Sequence, residues 1–299
     1  MKKTISDISL LLRKTLHTFG EDDPIILAGA LAFFTVFAIP PILIMVIFSI
    51  GLFTGQQVAS TEVFNQIQQL IGPASADVLQ NIVSHYFVED QNILQRLIAI
   101  GIFLFASSSF FLIIQHALNR IWSVKPRSKK KVIKTLENRA LSFGIIMFMG
   151  FILVLSLGTH SILLLVREEL NQLSPLLTPF VLTTIGVAIS FMLGMLSFGV
   201  IFKFLPDVII EWKVVWVGAA ITSCLFLLGK YIIGFALTSS NIQAMYGTAG
   251  SMAIYLLWVF YSSLILFFGA KMTQQYAYLF AETIQPKEHA VKIKKMEVK

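Results

Sequence analysis

The stretch PIILAGALAFFTVFAIPPILIMVIFSIGLF, residues 24–53, contains no charged side chain from Ile25 to Phe53. A helix needs about 20 apolar residues to cross roughly 30 Å of hydrocarbon, so this stretch is long enough to span a bilayer. It is longer than the ~7 to 15 residue core of a secretory signal, and no small-residue cleavage site follows such a core. We therefore expect a retained membrane helix here rather than a cleaved leader.

The composition of the whole chain agrees with that expectation. Of its 299 residues, 56% are hydrophobic and only 13% are charged, and the mean hydropathy is +0.80. Soluble domains carry about 25% charged residues, so this chain has about half the usual charge for a water-facing surface. The single cysteine, Cys224, lies inside an apolar segment and excludes a disulfide framework. The composition predicts a polytopic membrane protein whose first partners are membrane lipids.

Gaps between charged residues predict an all-α membrane protein with six transmembrane helices. The predicted spans are about 27–53, 93–116, 139–166, 177–203, 213–238 and 249–272. Between the first two spans, two amphipathic faces separated by Gly72-Pro73 predict a helical hairpin over 54–92 on the outer side. Pro40-Pro41 should kink the first span.

Two polar segments flank this six-helix domain, which we place at 24–281. Residues 1–23 predict an amphipathic cytoplasmic helix, and residues 282–299 a basic cytoplasmic tail. Within the first segment, Glu21-Asp22-Asp23 is the one dense carboxylate group. It is expected to cap the first span and pair with the basic inner loop, with a cation site as the alternative.

The distribution of cations predicts the orientation. With the N-terminus inside, 20 of the 23 Lys and Arg residues fall in cytoplasmic segments, and only Arg96, Arg167 and Lys230 remain in the outer half. Retention of Lys and Arg on the cytoplasmic side sets topology, so both termini are predicted to be cytoplasmic. Trp122 is expected at the inner interface, where amphipathic rings settle.

Four sequence strings carry a resemblance to a known family. They are EDDPIILAGALAFFTVFAIPP (21–41), ALNRIWSVKPRS (117–128), LPDVIIEWKVVWVGA (205–219) and YGTAGSMAIYLLWVFYSSLILFFGA (246–270). Together they resemble the YihY/virulence factor BrkB family of bacterial inner-membrane proteins. The resemblance implies a six-helix protein of the bacterial cytoplasmic membrane, with suspected roles in virulence and in moving lipids or solutes. The family usually has an acidic residue after the last Gly-Ala pair, where this chain has Lys271.

No arrangement of residues predicts catalysis or a cofactor. Metal-dependent phosphodiester cleavage needs clustered carboxylates or His, and the sequence has no HExxH, paired DxD or GxSxG pattern and no Asp or Glu within a predicted span. We predict a protein that is not an enzyme, in spite of the ribonuclease BN label that the family once carried, and we predict no cofactor, no metal and no nucleic-acid partner.

Ionisable and polar residues inside spans are the candidate sites, because burying them in a membrane is costly. Lys230 is the main candidate: it either snorkels outward or contacts an anionic substrate or lipid head group. Ser108 either packs against a neighbouring helix or lines a polar pathway. Tyr246, before the last span, marks either a turn or a hinge. These three are the predicted substrate or lipid contacts.

The basic loop after the second span has a different predicted role. Its cations are expected to set topology and to attract an anionic leaflet, at about 1 kcal/mol per charge; they are Arg120, Lys125, Arg127, Lys129, Lys130 and Lys131. The positive or neutral character of the spans favours a transporter or binder of an anionic lipid or amphipathic solute. The alternative is a non-transporting scaffold that binds envelope proteins or further copies of itself.

The predicted topology is directly testable. Reporter fusions after residues 75, 170 and 242 should give an outside signal, and fusions after 130, 208 and 290 an inside signal, because the cation distribution retains the latter segments. A cytoplasmic signal at residue 75 would overturn the orientation.

Overall fold

The computed structural model describes residues 2–71, 73–84, 110–127, 131–173, 177–238, 248–280 and 284–293. These residues are mostly helical. The helices are α1 (Lys2–Phe19), α2 (Pro24–Thr54), α3 (Gln56–Ile71), α4 (Pro73–Ser84), α5 (110–121), α6 (Lys131–Leu173), α7 (Thr178–Phe204), α8 (Trp212–Thr238) and α9 (Thr248–Phe280). Four short strands complete the described part: β1 (Val124–Pro126), β2 (Val208–Ile209), β3 (Gln285–Pro286) and β4 (Ala290–Lys292).

Four of the described helices are long and apolar enough to cross a membrane. The qualifying segments are Pro24–Leu52, Thr178–Phe204, Trp212–Ile233 and Met252–Phe280. Helix α6 contributes a shorter apolar segment, Ala140–Ser156, at the predicted third span. Most of the predicted second span, 93–116, lies outside the described residues. The helical membrane class is therefore supported, and the count of six spans stays a prediction.

The first long helix begins and ends where the sequence predicts. Asp23 adopts a left-handed conformation with φ of 51°, and Pro24 occupies the first turn of α2, where its missing N–H costs nothing. The Asp23 side chain makes no capping hydrogen bond, so the predicted cap is wrong in that detail. The helix runs without a break through Pro40 and Pro41.

Each of the five long helices contacts two others, so that the contacts form a closed ring. Helix α2 contacts α9, α9 contacts α8, α8 contacts α7, α7 contacts α6, and α6 contacts α2. Helices α3 and α4 occupy the stretch where the hairpin was predicted, and they pack on each other and on α2 and α9. Their position on the outer side stays a prediction. The core between these helices is apolar and nearly inaccessible, as at Ile47, Ile146, Val215 and Phe267.

Helices α8 and α9 approach each other closely through small residues. A β-carbon at Gly218 would overlap the Thr273 side chain, and one at Gly269 would overlap Thr222. The two threonines satisfy their own hydroxyls along their helices, since Thr222 Oγ1 donates to Gly218 O at 2.7 Å and Thr273 Oγ1 donates to Gly269 O at 2.7 Å. Each threonine therefore occupies the space that a glycine leaves free, as in other tightly packed membrane helices.

A buried ion pair joins the beginning of the chain to its last long helix. Lys271 Nζ lies 2.6 Å from Asp22 Oδ2, and the side chains are only 6% and 2% exposed. The rings of Phe19 and Phe268 pack edge to face beside it. Helix α9 continues past Lys271 to Phe280, and the Lys271 ammonium pairs with a carboxylate inside the protein.

A second buried carboxylate, Asp207, lies between α7 and α8. Its oxygens accept hydrogen bonds from Asn119 Nδ2 at 2.8 Å and Gln115 Nε2 at 3.3 Å, and His289 Nε2 lies 2.9 Å away. The Asp207 backbone N–H donates to Asn119 Oδ1 at 2.7 Å. This residue therefore joins α5, the α7–α8 connection and the C-terminal segment. We call the Asp22–Lys271 pair and the groups around Asp207 the polar layer.

The described part of the C-terminal segment is folded onto this layer. Strand β4 pairs antiparallel with β1, and β3 pairs antiparallel with β2. The backbone N–H groups of Arg127 and Ile293 extend the first pairing, donating to His289 O and Ser123 O. The sequence predicted only a basic tail here, because strands of two or three residues have no periodicity to detect.

The Trp122 ring is 2% exposed and belongs to the apolar core beside the polar layer. Its depth at the inner interface of the membrane stays a prediction. Nearby, the Gln274 side-chain amide donates to the Ile121 carbonyl at the end of α5. Helix α5 ends at this point, and the chain turns through Ser123 into β1.

The close approach of α8 and α9 predicts different outcomes for two similar substitutions. Gly269→Ala should lower stability by about 1 to 3 kcal/mol, because the added methyl overpacks against Thr222. Gly144→Ala in α6 has open space around it and should be neutral or stabilising by up to about 1 kcal/mol. Thermal unfolding of both variants in detergent measures the difference, and equal midpoints would contradict this packing.

The buried ion pair predicts that a second substitution recovers the stability lost through the first. Lys271→Met should cost about 3 to 5 kcal/mol, because removing one member of a buried ion pair leaves the charge of the other member buried. Adding Asp22→Asn should recover much of that loss, since no uncompensated charge then remains. Unfolding in detergent compares the single and double variants.

The matched control is Asp23→Asn, which breaks the exposed pair with Arg120; such a pair contributes at most about 1 kcal/mol. Additive losses in the Lys271→Met, Asp22→Asn double variant would show that the two side chains are not coupled.

Candidate functional site

A cavity of about 600 Å³ lies between α3, α6, α7 and α8. Ligand sites in proteins occupy about 300 to 1,000 Å³, so this volume suits a small molecule or a head group with part of a chain. Along α7 the lining extends from Ser197 back to Gly186. At 1.5 Å per residue, these positions lie about 10 to 27 Å from the end of α7 at Phe204, which faces the polar layer. The cavity therefore occupies the part of the bundle remote from that layer.

Regular helical spacing explains why α7 and α8 line the cavity together. On α8 the lining residues are Ser223, Phe226, Leu227 and Lys230, at offsets of three, four and seven. On α7 they are Gly186, Ile189, Ser190, Leu193, Gly194 and Ser197. Residues three and four apart lie on one face of a helix, so each helix presents one stripe, in which small and hydroxyl side chains alternate with apolar ones.

Helix α3 contributes the polar wall. Glu62, Asn65 and Gln66 lie at offsets of three and four and all line the cavity. Ala59 and Val63 on the same helix are buried in the core. The amphipathic pattern that predicted a surface helix therefore divides α3 into a face packed on the bundle and a face turned toward the cavity.

Two opposite charges line the cavity without forming a pair. Lys230 and Glu62 are both partly exposed and both line the cavity. Within the described part of the chain, neither has a hydrogen-bond or ion-pair partner, whereas Asp22 and Lys271 are joined. An ionised group in apolar surroundings is costly unless a partner or solvent compensates it. Because both side chains are partly exposed, water or a ligand can compensate the two charges.

A hydroxyl in the same lining is also unsatisfied. Ser223 is 1% exposed, and its Oγ has no hydrogen-bond partner among the described residues. Most helix serines and threonines here donate to the carbonyl four residues earlier, as Ser197 does to Leu193 O at 2.9 Å. Gly194 lies against Ser223: a β-carbon there would come 2.9 Å from Ser223 Oγ. The absence of a side chain at residue 194 leaves that hydroxyl room in the cavity wall.

Of the three residues predicted to contact a substrate or lipid, the structure describes only Lys230. Lys230 lines the cavity, about 27 Å along α8 from Trp212 at 1.5 Å per residue. Ser108 and Tyr246 lie outside the described residues, and so do Lys129 and Lys130 of the basic loop. Whether any of these side chains contacts a substrate or lipid stays a prediction.

The described members of the basic loop lie at the polar layer, apart from the cavity. Arg120 pairs with Asp23, and both side chains are about half exposed, which agrees with the predicted pairing of the carboxylate group with the inner loop. Lys125 and Arg127 are exposed at β1, and Lys131 begins α6.

Sequence reasoning missed Glu62 and Ser223 as cavity residues. A partial signal was present: Gly186, Ser190, Gly194 and Ser197 recur at spacings of four, four and three, which marks one face of α7 as unusually small and polar. Within the described ranges, no three His, Cys, Asp or Glu side chains are grouped so that they could hold a metal ion.

Comparison with known proteins shows that the sequence matches a described family. The family model described as "Virulence factor BrkB" matches residues 15–294. A UPF0761 membrane protein of Mannheimia succiniciproducens is 28% identical over 82% of this chain and 82% of its own length. One from Acinetobacter baylyi is 28% identical over 86% of this chain.

The coverage of the relatives is uneven. The chain spans 60% of the length of the Acinetobacter protein but 89% of a Photobacterium profundum relative, which is 24% identical. No solved structure matches the chain. Because the family model covers nearly all of the sequence, the chain belongs to the virulence factor BrkB family of membrane proteins.

Proposed function

We propose that this protein binds and moves an anionic lipid or amphipathic solute, using the cavity lined by Lys230. In this proposal the protein spans the bacterial cytoplasmic membrane six times with both termini in the cytoplasm, and it performs no catalysis. The proposal rests mainly on one observation: the ammonium of Lys230 lines the cavity and has no hydrogen-bond or ion-pair partner among the described residues.

The chemistry of the cavity favours an amphipathic ligand. An ammonium is a compact point charge that suits phosphate and carboxylate groups, and Ser156, Ser190 and Ser197 add neutral hydrogen-bonding groups to the lining. Leu153, Leu163 and Leu193 supply apolar surface in the same lining. A ligand with a charged head and an apolar body would contact both kinds of surface.

The helices around the cavity differ in how tightly they pack, which supports movement of a ligand past one helix while the rest of the bundle stays in place. Helices α8 and α9 are held together by the glycine–threonine contacts, and the polar layer ties α9 to the start of α2. Helix α7 carries several exposed apolar side chains, including Phe180, Met192 and Leu196. We therefore assign the stable wall of the cavity to α8, which packs on α9, and the lipid-facing wall to α7.

Flux across a membrane tests this proposal. Purified protein reconstituted in liposomes should accelerate the crossing of a phosphatidylglycerol that carries a fluorescent acyl chain. Lys230→Ala should reduce that rate about tenfold or more, because a charge-assisted hydrogen bond contributes about 1.5 to 3 kcal/mol. Dithionite quenching of the outer leaflet measures the rate.

The matched control is Lys213→Ala, which removes an exposed cation from the same helix outside the cavity and should leave flux unchanged. Flux at the protein-free background in wild type and in both variants would contradict transport. If such an inactive protein also held a stable envelope partner that was lost on deleting 57–88, the scaffold alternative would replace the transporter.

A further inference from the structure

We infer that the cavity selects a zwitterionic group, with Lys230 binding the anionic part and Glu62 binding an ammonium. The inference rests on the proposed function, because it names the substrate class of the same site. The sequence alone favoured an anionic ligand, since it showed only a cation within the spans. The structure adds a carboxylate from α3 to the same cavity wall.

The separation of the two charges supports this assignment. Lys230 and Glu62 line one cavity, yet they lie farther apart than an ion pair, and neither is neutralised by another described residue. Elsewhere in the described chain, buried opposite charges close onto each other, as Lys271 and Asp22 do at 2.6 Å. A cation and an anion that line one cavity without pairing match a ligand that carries both charges. A purely anionic ligand would leave Glu62 without a counterion and should bind less tightly.

The volume of the cavity fits such a ligand. About 600 Å³ lies within the roughly 300 to 1,000 Å³ range of ligand pockets. It is more than a phosphate and an ammonium need, and it leaves room for the beginning of an apolar chain. The leucines and Phe226 in the lining would contact that chain.

Ser223 marks a second point of contact. Its unsatisfied hydroxyl lies two helical turns from Lys230 on the same face of α8, about 10 Å toward the polar layer. A buried hydroxyl without a partner is costly, and an ester or hydroxyl oxygen of the ligand would accept its hydrogen bond. The three groups together describe a ligand with a zwitterionic end and a neutral polar group about 10 Å away.

Paired lipid probes test the inference. The full-length protein in detergent would be titrated with phosphatidylethanolamine and phosphatidylglycerol that carry the same fluorescent acyl chain, and anisotropy would measure binding. Wild type should bind the ethanolamine lipid more tightly. Glu62→Gln should weaken that lipid about tenfold and leave phosphatidylglycerol unchanged or tighter, because only the ammonium contact is lost. Lys230→Gln should weaken both lipids.

Three further arms make the result specific. Glu62→Asp keeps the charge and should retain selection, which separates a binding defect from misfolding. Asp77→Asn removes an exposed carboxylate on α4 outside the cavity and should change nothing. Free phosphoethanolamine as a competitor distinguishes the source of the zwitterion: displacement of the probe at similar concentration assigns the site to a soluble zwitterion, and failure to displace it assigns the site to a lipid.

Equal weakening of both lipids by Glu62→Gln, or no weakening of the ethanolamine lipid, would overturn the inference. The experiments distinguish a failure of zwitterion selection from a failure of the proposed transport. Liposome flux of the matched phosphatidylethanolamine probe that depends on Lys230 without any effect of Glu62→Gln keeps transport and rejects zwitterion selection. Binding that depends on Glu62 without liposome flux keeps the selection and rejects transport.

Discussion

A polar group inside an apolar bundle needs a partner, and this requirement organises the whole structure. At one end of the helices it is met within the protein, where Lys271 closes onto Asp22 and Asp207 gathers Asn119, Gln115 and His289. In the cavity it is not met by described residues, since Lys230, Glu62 and the Ser223 hydroxyl have no partners there. The first arrangement holds chain segments together that are far apart in sequence. The second leaves charge available to something that enters from outside.

The two regions depend on each other through the long helices. Helix α8 begins beside Asp207 in the polar layer and carries Lys230 about 27 Å further along. Its contact with α9 is fixed by glycines and threonines that occupy each other's space, and α9 in turn carries Lys271. The cavity cation therefore lies on a helix that packs closely on α9, and α9 is joined to the beginning of the chain by the buried ion pair. In this arrangement the C-terminal strands, which pair with β1 and β2, hold the connections between helices at one end.

The sequence predicts the helices well and the contacts between them poorly. The bounds predicted for α7 and α8, at 177–203 and 213–238, lie within one residue of the observed ends because charged and polar residues bound apolar runs there. The partner of Lys271 is 249 positions away, and no local pattern encodes such a pair. Lys230 was identified from its cost in a membrane, whereas Glu62 was not, because its helix lies outside the apolar runs and reaches the cavity only through tertiary packing. The tail strands were missed because segments of two or three residues have no periodicity to detect.

A density map of the protein in nanodiscs made with phosphatidylethanolamine tests the unpaired charges of the cavity most directly. We expect Lys230 to have no protein carboxylate as its partner, and we expect density for a head group between Lys230 and Glu62, with a polar atom near Ser223 Oγ. A map in which Lys230 is neutralised by a side chain of the protein, or in which side chains fill the cavity, would contradict this arrangement.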